Sequence, residues 1–469
     1  MVALLVVGVI GLILLALTIW RPVIGCAVLA LVFPVTTGIA RGALIPLLRP
    51  SEAILLIVAT GLIVHYLPRR RTLALSRLDY LLGGFAAGLV MIPALLLFVT
   101  HYPFDISVST QFDRWRDVFG PLQFLAFYLI FSRTDLARRE VAICLNLALG
   151  ASVIVGLVAI VQLTGILPGL RDLIETYYPP TELRSWESLH RPPSLLGHFS
   201  AVGAFAALNY TLALVLAAVR HPGFSPVWLG LAMVVNAAAV LASLTVAPIV
   251  ALVPVTIAVI WYARRVPTQL VVTVAAAVVV GAVLLSPFLA GRLQEQQIGF
   301  AAAGGFVAPQ SLDARIRLWE AFFFPALVPH IWLGTGTVLP AEIPPALSSN
   351  IDNEYLGEAF RAGLIGVALL ITLLVSLFLA GLSGRDDPSI WRRSLSAVVF
   401  ADAMLVAAVG FSAQYLTYGA VYSHLAIVVG LLAALTRPAT RAVASPARPI
   451  AAPRPGARPA LPPAGVGAT

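Results

Sequence analysis

Long apolar runs constrain this chain more strongly than any other feature of its sequence. About thirteen segments are apolar enough, and long enough at roughly 20 residues, to cross a bilayer as helices. Inside a membrane every backbone polar group must be hydrogen-bonded, and a helix achieves this within one segment. The sequence therefore predicts an all-α polytopic membrane protein with about 12–13 transmembrane helices. The predicted spans lie near residues 2–20, 23–40, 51–67, 79–100, 119–132, 141–167, 198–219, 227–243, 247–263, 268–290, 353–381, 395–415 and 420–436.

The composition agrees with a membrane protein and excludes two other classes. Of the 469 residues, 60% are hydrophobic and 11% are charged, whereas soluble domains are about half apolar and about a quarter charged. An ordinary soluble enzyme is therefore excluded, and so is a disordered chain, which needs low hydrophobicity. Both cysteines, Cys26 and Cys144, lie in apolar runs, and the seven histidines show no ligand spacing. We expect no disulfide, no metal and no cofactor.

Arginine supplies all 30 basic residues, and its distribution predicts how the helices are oriented. Nineteen arginines lie in the C-terminal tail and in alternate connections, counted from the connection after the first segment. Because positively charged connections stay in the cytoplasm, this side is predicted to be cytoplasmic. The three long connections, 101–118, 168–197 and 291–352, then lie outside. The net charge of +9 is thus a topology signal, and no nucleic acid partner is expected.

The sequence divides into one large domain and a tail. Residues 1–436 are predicted to form the transmembrane domain, with structured external loops at 168–197 and 291–352. The first helix is expected to be retained, because Arg21-Pro22 is a poor site for signal peptidase. Residues 437–469 are rich in proline, alanine and arginine, a composition typical of a disordered tail, here on the cytoplasmic side.

Three clusters of polar residues lie where the external loops meet helices. The first ends the loop 168–197 with the sequence RPPSLLGHFS, which contains Arg191 and His198. An arginine binds phosphate oxygens in a bidentate manner, and the start of the next helix presents free backbone N–H groups nearby. One interpretation is an anion site. The other is interfacial anchoring of the loop, with Trp186 in the aromatic belt.

The second cluster is the sequence SLDARIRLWEAFFFPAL within the loop 291–352. Ser311 can cap a helix here, and Arg315 and Arg317 must point to different faces because they are two residues apart. Arg315 is the better candidate for a site, since it lies one turn before Trp319. The alternative is an amphipathic helix on the membrane surface with snorkelling arginines.

The third cluster opens the eleventh predicted span with the sequence NIDNEYLGEAFRAGLIG. Glu354, Glu358 and Arg361 share one helical face, and charged groups within a span are costly unless they pair or line a polar cavity. Glu358 and Arg361 are spaced to pair with each other. Asp352 and Glu354 are then the candidate general bases.

Two further signals are weaker. The external sequence DRWRD contains Arg114 and Arg116, which are either additional contacts for an anionic substrate or interface anchors. Asp402 lies near the middle of the twelfth predicted span. A carboxyl group there is protonated, bonded to a neighbouring helix or part of a proton relay.

In these clusters the chain resembles the O-antigen ligase and O-antigen/exopolysaccharide polymerase superfamily, GT-C-like glycosyltransferases of the bacterial inner membrane. The resemblance covers roughly residues 80–436 and rests on three motifs in order. RPPSLLGHFSAVGAF is similar to an arginine-led motif that enters a helix. DARIRLWEAFFFPALVPHIWLGTG is similar to an RxxxW helix followed by a proline and a glycine pair, and DNEYLGEAFRAGLIG is similar to the family's helix containing GLxG.

The resemblance implies that a glycan is transferred from a polyprenyl (undecaprenyl-type) diphosphate on the external face, without nucleotide or metal. It implies that Arg191 and Arg315 bind the donor diphosphate and that Asp352 activates the acceptor hydroxyl, with Glu354 as the other candidate base. The residues expected to contact the substrates in addition are His198 and Arg361 at the diphosphate, and Arg114, Arg116, Arg317, Asn353 and Tyr355 elsewhere.

Two departures from the family pattern affect individual roles. Many ligases carry histidine where this chain has Asp352, whereas polymerase-like members more often resemble this chain at that position; a carboxylate can still act as a base. The family also has a serine–arginine pair on a mid-chain helix, whereas LASLTVAPIV places Val246 at the arginine position. One diphosphate contact is thus missing or supplied by Arg114, Arg116 or Arg361.

The sequence therefore predicts a metal-independent, inverting membrane glycosyltransferase that polymerises lipid-linked oligosaccharide repeats into a surface polysaccharide. The expected partners are the lipid-linked donor, a glycan or lipid acceptor, and membrane lipids. Ligation of a finished glycan to a lipid or protein acceptor is the alternative within the class. The alternative from another class is a secondary transporter or lipid-linked sugar flippase, although such proteins place charges and broken helices near the bilayer midplane.

Overall fold

The computed structural model describes residues 2–69, 75–101, 108–179, 191–264, 310–344 and 351–437, together with Leu347 and part of the segment 268–294. In these residues the fold is all-α, and the secondary structure contains helices and turns but no strand. Residues 438–469 of the predicted tail 437–469, and the loop residues 180–190 and 295–309, lie outside this set. The fold class expected from the sequence is confirmed.

Each predicted span except 268–290 contains one helix over most of its length, although the helix in 353–381 is kinked and the helix in 395–415 ends at Val409. Several helices begin at a proline, whose missing N–H is not needed in the first turn, as at Pro22, Pro50 and Pro226. The segment 268–290 is described only in part. The helices are α1 Val2–Trp20, α2 Pro22–Thr36, α3 Pro50–Tyr66, α4 Arg77–His101, α5 Val108–Arg133, α6 Arg138–Thr164, α7 Pro168–Tyr177, α8 Phe199–Ala218, α9 Pro226–Ala242, α10 Val246–Ala263, α11 Gln310–Leu318, α12 Phe324–Leu327, α13 Glu354–Ser383, α14 Ile390–Val409 and α15 Gly419–Thr436.

Length and composition make the chain a multi-pass membrane protein. Among the described residues, six helices are long and apolar enough to cross a membrane, namely α4, α6, α8, α10, α13 and α15. Four shorter helices, α1, α2, α3 and α9, are also apolar. Helix α14 lies outside both groups, although its middle turns are deeply buried.

Helix α8 forms the centre of the bundle. Its sequence is apolar on every side, which is typical of a helix surrounded by others, and nearly all of its side chains are buried. Helices α6, α9, α10 and α14 pack around it. Its polar residues Asn209 and Thr211 each donate to a backbone carbonyl one turn earlier, at 2.9 Å. The motif that contains Arg191 thus leads directly into the most buried helix.

Contacts between connections define two ends of the bundle. At one end, which we call the site end, the Gly38 amide donates to the Leu195 carbonyl at 3.1 Å, and Tyr418 stacks on His198. At the other end Arg264 pairs with Asp386 at 2.6 Å. Other contacts at that end join the connections near Tyr66 and Asp135 and those near His221 and Trp391. The connections meet at alternate ends, as a polytopic chain requires.

Candidate functional site

An ion pair between Arg315 and Asp352 lies at the centre of the candidate site. Arg315 Nε donates to Asp352 Oδ2 at 3.0 Å, and one turn later Trp319 Nε1 donates to the Ile351 carbonyl at 2.8 Å. One face of this helical segment thus contacts two successive residues, Ile351 and Asp352, directly before α13. The Arg315 and Asp352 side chains are 27% and 32% exposed, so both are held in place while still accessible to a substrate.

The backbone at Asp352 is strained. Its φ of +44° lies in the left-handed region, which a non-glycine residue rarely adopts and which is often found at functional sites. The next residue, Asn353, caps α13 by accepting the Leu356 amide at 3.0 Å. The Asp352 carboxylate is therefore presented just outside the helix start, on the side where Arg315 lies.

Arg191 is buried, with 8% of its surface exposed. Its guanidinium lies 3.3 Å from the centre of the Phe199 ring, and one nitrogen donates to Thr245 Oγ1 at 3.0 Å. Thr245 precedes α10 and follows Leu244, whose φ is +51°. The segment LASLTVAPIV, which has Val246 where the family pattern described above has arginine, therefore contacts Arg191 through Thr245. The sequence analysis did not identify Thr245 as a site residue.

The segment after Arg191 is fixed by hydrogen bonds on both sides. The Ser194 amide donates to Gln162 Oε1 and its hydroxyl to the Val155 carbonyl, both at 2.7 Å. His198 caps α8 by accepting the Ser200 amide at 3.1 Å, and its ring lies between Phe199 and Tyr418. His198 thus orders the motif through its cap and its stacking.

Tyr415 lies near Arg191 and also near the Arg315–Asp352 pair. It lies in the turn between α14 and α15 and is fully buried. Burial raises the pKa of its hydroxyl to about 12, and smaller effects on this pKa come from the charges of Arg315, Arg191 and Asp352. These three groups, far apart in sequence, therefore all lie within electrostatic range of one neutral phenol. The run AQYLTY between two apolar spans was the sequence signal for this turn.

Glu354 occupies a buried structural position. It is 3% exposed, its carboxylate accepts the Leu416 amide at 2.9 Å, and its own amide donates to the Gly410 carbonyl at 2.7 Å. It thus ties the start of α13 to the turn that contains Tyr415. Of the two carboxylates named as candidate bases, Asp352 is partly exposed, whereas Glu354 is buried and hydrogen-bonded to a backbone amide.

Arg361 differs from the expected pairing with Glu358. Its guanidinium donates to the carbonyls of Leu89 at 3.3 Å and Val118 at 3.2 Å and also to that of Asp117. Arg361 therefore joins α13 to α4 and α5 through three backbone carbonyls. Glu358 is 7% exposed. The contacts place Arg361 at a helix junction instead of beside Arg315.

Helix α13 is broken directly after Arg361, at Ala362 and Gly363, and the second motif fills the break. Gly363 has a φ of +64°, and a Cβ there would lie 2.1 Å from the Trp332 carbonyl oxygen. The Thr335 and Gly336 amides donate to the Phe360 carbonyl at 2.6 and 3.1 Å, and the Leu364 amide donates to Ile331. The glycines of the two motifs are thus required for close backbone contact between them.

The remaining predicted contacts are arranged differently. Arg317 pairs with Asp313 at 2.7 Å on the exposed side of α11, which agrees with its pointing away from Arg315. The Tyr355 hydroxyl donates to the Ala407 carbonyl at 2.8 Å, and Asn353 is the helix cap. Both side chains therefore make hydrogen bonds to the backbone within the fold. The side chains of Arg114 and Arg116 lie outside the described residues.

The second cluster carries an apolar stripe formed by Ile316, Trp319, Phe322, Phe323 and Ala326. Phe323 and Ala326 are buried in a small core with Leu356 and Phe360 of α13, whereas Ile316 is 36% exposed. A location of this helix on the membrane surface stays a prediction. The buried part of the stripe holds the segment that begins with Arg315 against the start of α13.

Asp402 is bonded to a neighbouring helix. Its Oδ2 lies 3.2 Å from His424 Nε2, and both side chains are almost fully buried. Within the described part of the chain, no group of three histidine, cysteine or acidic residues could hold a metal ion.

The helical bundle with two arginines and a strained carboxylate at one end defines a multi-pass membrane protein with a cluster of charged side chains at that end. Residues 231–371 match the family model for O-antigen ligase. This match confirms the resemblance to the O-antigen ligase and polymerase superfamily. It includes Thr245, Arg315 and Asp352 but neither Arg191 nor Tyr415. No curated protein matches the chain.

Proposed function

We propose that the protein transfers a glycan from a polyprenyl diphosphate to an acceptor hydroxyl at the site end, and that its product is a surface polysaccharide. The observation that carries this proposal is the Arg315–Asp352 contact, which sets a phosphate-binding cation against a candidate base. The O-antigen ligase match over residues 231–371 supports the reaction class. We further propose that the site end faces outward and that the membrane is the bacterial inner membrane, with a cytoplasmic C-terminus.

The two arginines bind the donor diphosphate in this proposal. A guanidinium stays charged when partly buried and forms bidentate bonds to phosphate oxygens. Arg191 is held by Thr245 and Phe199, and Arg315 by Asp352. Fixed donors aimed at the leaving group stabilise the negative charge that develops on it, typically by about 3–4 kcal/mol for each group.

Asp352 accepts the proton. The acceptor oxygen attacks the anomeric carbon, the bond between that carbon and the diphosphate oxygen breaks, and its electron pair leaves with the diphosphate. The hydroxyl proton moves to the Asp352 carboxylate. A single displacement of this kind inverts the anomeric centre. Because the donor is already activated as a diphosphate ester, we propose that no metal takes part.

Reconstitution of the purified protein tests whether it polymerises lipid-linked glycans. Purified protein in nanodiscs is incubated with a lipid-diphosphate-linked oligosaccharide, with and without EDTA, and the glycans are resolved on a gel. We expect a ladder of longer glycans from the wild type, with or without EDTA, and none from Arg191→Ala or Arg315→Ala. Arg317→Ala is the matched control, because that arginine lies on the exposed face in a pair with Asp313, and it should retain the ladder.

The other outcomes separate the alternatives. Transfer of one intact glycan to a lipid acceptor, without a ladder, would make the protein a ligase. Movement of the donor across a sealed vesicle, without any new glycosidic bond, would indicate a transporter. Full activity in Arg315→Ala would remove that residue from the donor site, and loss of the ladder in EDTA would overturn the metal-independent mechanism.

A further inference from the structure

The turn between α9 and α10 reaches Arg191 without carrying a charge. It consists of Ser243, Leu244 and Thr245, and all three residues are buried. Leu244 has a φ of +51°, a conformation that a leucine keeps only where its surroundings hold it. Its side chain packs in a small core with Leu163. The turn therefore holds its last residue, Thr245, in a defined position.

Hydrogen bonds within the turn fix the orientation of the Thr245 hydroxyl. This hydroxyl donates to the Ser243 carbonyl at 3.2 Å, and the Thr245 amide donates to Ser243 Oγ at 3.3 Å. A hydroxyl has one proton and two lone pairs, whereas a guanidinium can only donate. Because its proton is used within the turn, the Thr245 hydroxyl meets Arg191 as an acceptor. The guanidinium donates to it through Nη2 at 3.0 Å.

One face of α8 contacts both Arg191 and the turn. The Phe199 ring centre lies 3.3 Å from the guanidinium carbon, and Gly203 follows on the same face one helical turn later. A Cβ on Gly203 would lie 2.7 Å from Ser243 Oγ and 3.2 Å from a side-chain carbon of Pro248. The turn thus packs directly on α8, so the ring and the threonine hydroxyl are held in a fixed relation to each other.

We propose that Thr245 is a positioning residue for Arg191. The contact with Phe199 fixes the distance of the guanidinium from α8, and the hydrogen bond to Thr245 fixes its rotation. The N–H groups of the guanidinium fork then keep one direction, as bidentate binding of a diphosphate requires. This inference rests on the proposed function, because it takes Arg191 as a residue that binds the donor.

Titration of the purified protein in detergent with undecaprenyl diphosphate tests the proposal. Thr245→Val keeps the branched shape of the side chain and removes the acceptor. We expect the affinity to fall about tenfold, because the guanidinium is no longer oriented before binding. Thr211→Val is the matched control, since Thr211 is also buried and its hydroxyl donates to a carbonyl of its own helix at 2.9 Å. The control should bind the probe like the wild type.

A double-mutant cycle shows whether Thr245 acts through Arg191. In the Arg191→Ala background the threonine hydroxyl has no guanidinium to orient. Adding Thr245→Val to that background should therefore change the affinity by less than about twofold. A residue with a merely structural role would instead weaken binding by the same factor in both backgrounds.

A second pair of variants covers the case in which Thr245→Val misfolds. Serine and cysteine have nearly the same shape, but a thiol is a much weaker acceptor than a hydroxyl. Thr245→Ser should therefore recover most of the wild-type affinity, whereas Thr245→Cys should bind the probe about tenfold more weakly. Equal affinities of these two variants would overturn the positioning role.

The outcomes distinguish this inference from the proposed function. Wild-type affinity in Thr245→Val, or an equal loss in both backgrounds, would overturn the positioning role, and weak binding by Arg191→Ala would still support the donor site. Unchanged affinity in Arg191→Ala would overturn the place of that arginine in the donor site, and with it the role of Thr245. A loss in Thr245→Val that disappears in the Arg191→Ala background would support both.

Discussion

Arg315 and Asp352 are 37 positions apart and meet at 3.0 Å, because Trp319 anchors the same helical segment to the carbonyl of Ile351. The pair is partly exposed on both sides. In the proposed reaction a diphosphate bound to Arg315 would compete with Asp352 for the guanidinium. Donor binding would then release the Asp352 carboxylate from its partner and make it available as a base.

Replacement of Asp352 by asparagine should separate chemistry from binding. Asparagine tolerates the φ of +44° at this position, so the fold should survive. We expect turnover to fall about 10²–10⁴-fold, the usual contribution of a general base, while donor affinity changes little. Initial rates and donor titration of the purified variant measure the two effects. Turnover near the wild-type level would show that Asp352 is not the base.

Glu354 should behave as a structural residue. Glu354→Gln keeps an oxygen that can accept the Leu416 amide, so we expect near-normal turnover and thermal stability. Glu354→Ala leaves that amide buried without an acceptor, which costs about 1–3 kcal/mol of unfolding free energy. It should also expose the Tyr415 turn to chymotrypsin. Equal inactivity of the two variants, with equal resistance to the protease, would instead make Glu354 the base.

The glycine at the break in α13 should tolerate no side chain. In Gly363→Ala a Cβ would lie 2.1 Å from a carbonyl oxygen, in a backbone conformation with φ +64°. We expect a loss of several degrees in the melting temperature and loss of activity, since the Arg315 segment is docked on this break. Gly84→Ala, in α4, is the control because its Cβ would meet nothing within 4 Å. Equal melting temperatures for the two variants would contradict the close packing.

His221 should make stability depend on pH. It lies in the turn after α8, and burial lowers its pKa to about 4, from the usual 6.5. The folded state therefore keeps this histidine neutral where the unfolded state is protonated. Its stabilising contribution is complete above about pH 6.5 and is lost as the pH falls towards 4, by on the order of 2–3 kcal/mol.

Melting curves of the detergent-solubilised protein from pH 7 to pH 4 measure this dependence. His221→Asn keeps an acceptor for the Gly223 amide, which now donates to Nδ1 at 3.1 Å, but it cannot titrate. The variant should lose less stability than the wild type between these pH values. Identical pH profiles would show that the buried ring is not the titrating group.

The sequence by itself determined the helices. An apolar run and its flanking proline or arginine are local features, and they fix where a membrane helix begins and ends whatever it packs against. The three motifs were also visible locally, because the spacing of Arg315 and Trp319 places both on one helical face. The polytopic all-α class and the resemblance to the O-antigen ligase superfamily followed from these signals.

Only the tertiary structure decided which charged groups meet. Local spacing made Glu354 a candidate base, but its carboxylate accepts a backbone amide of the turn at Tyr415–Thr417. Local spacing also paired Glu358 with Arg361, whereas the Arg361 guanidinium donates to backbone carbonyls of α4 and α5. Thr245 and Tyr415 also belong to the site, although the segments that contain them carry no charged residue that would have indicated it. Helical periodicity says which side chains share a face, whereas the partner of a buried polar group depends on segments that packing brings near it.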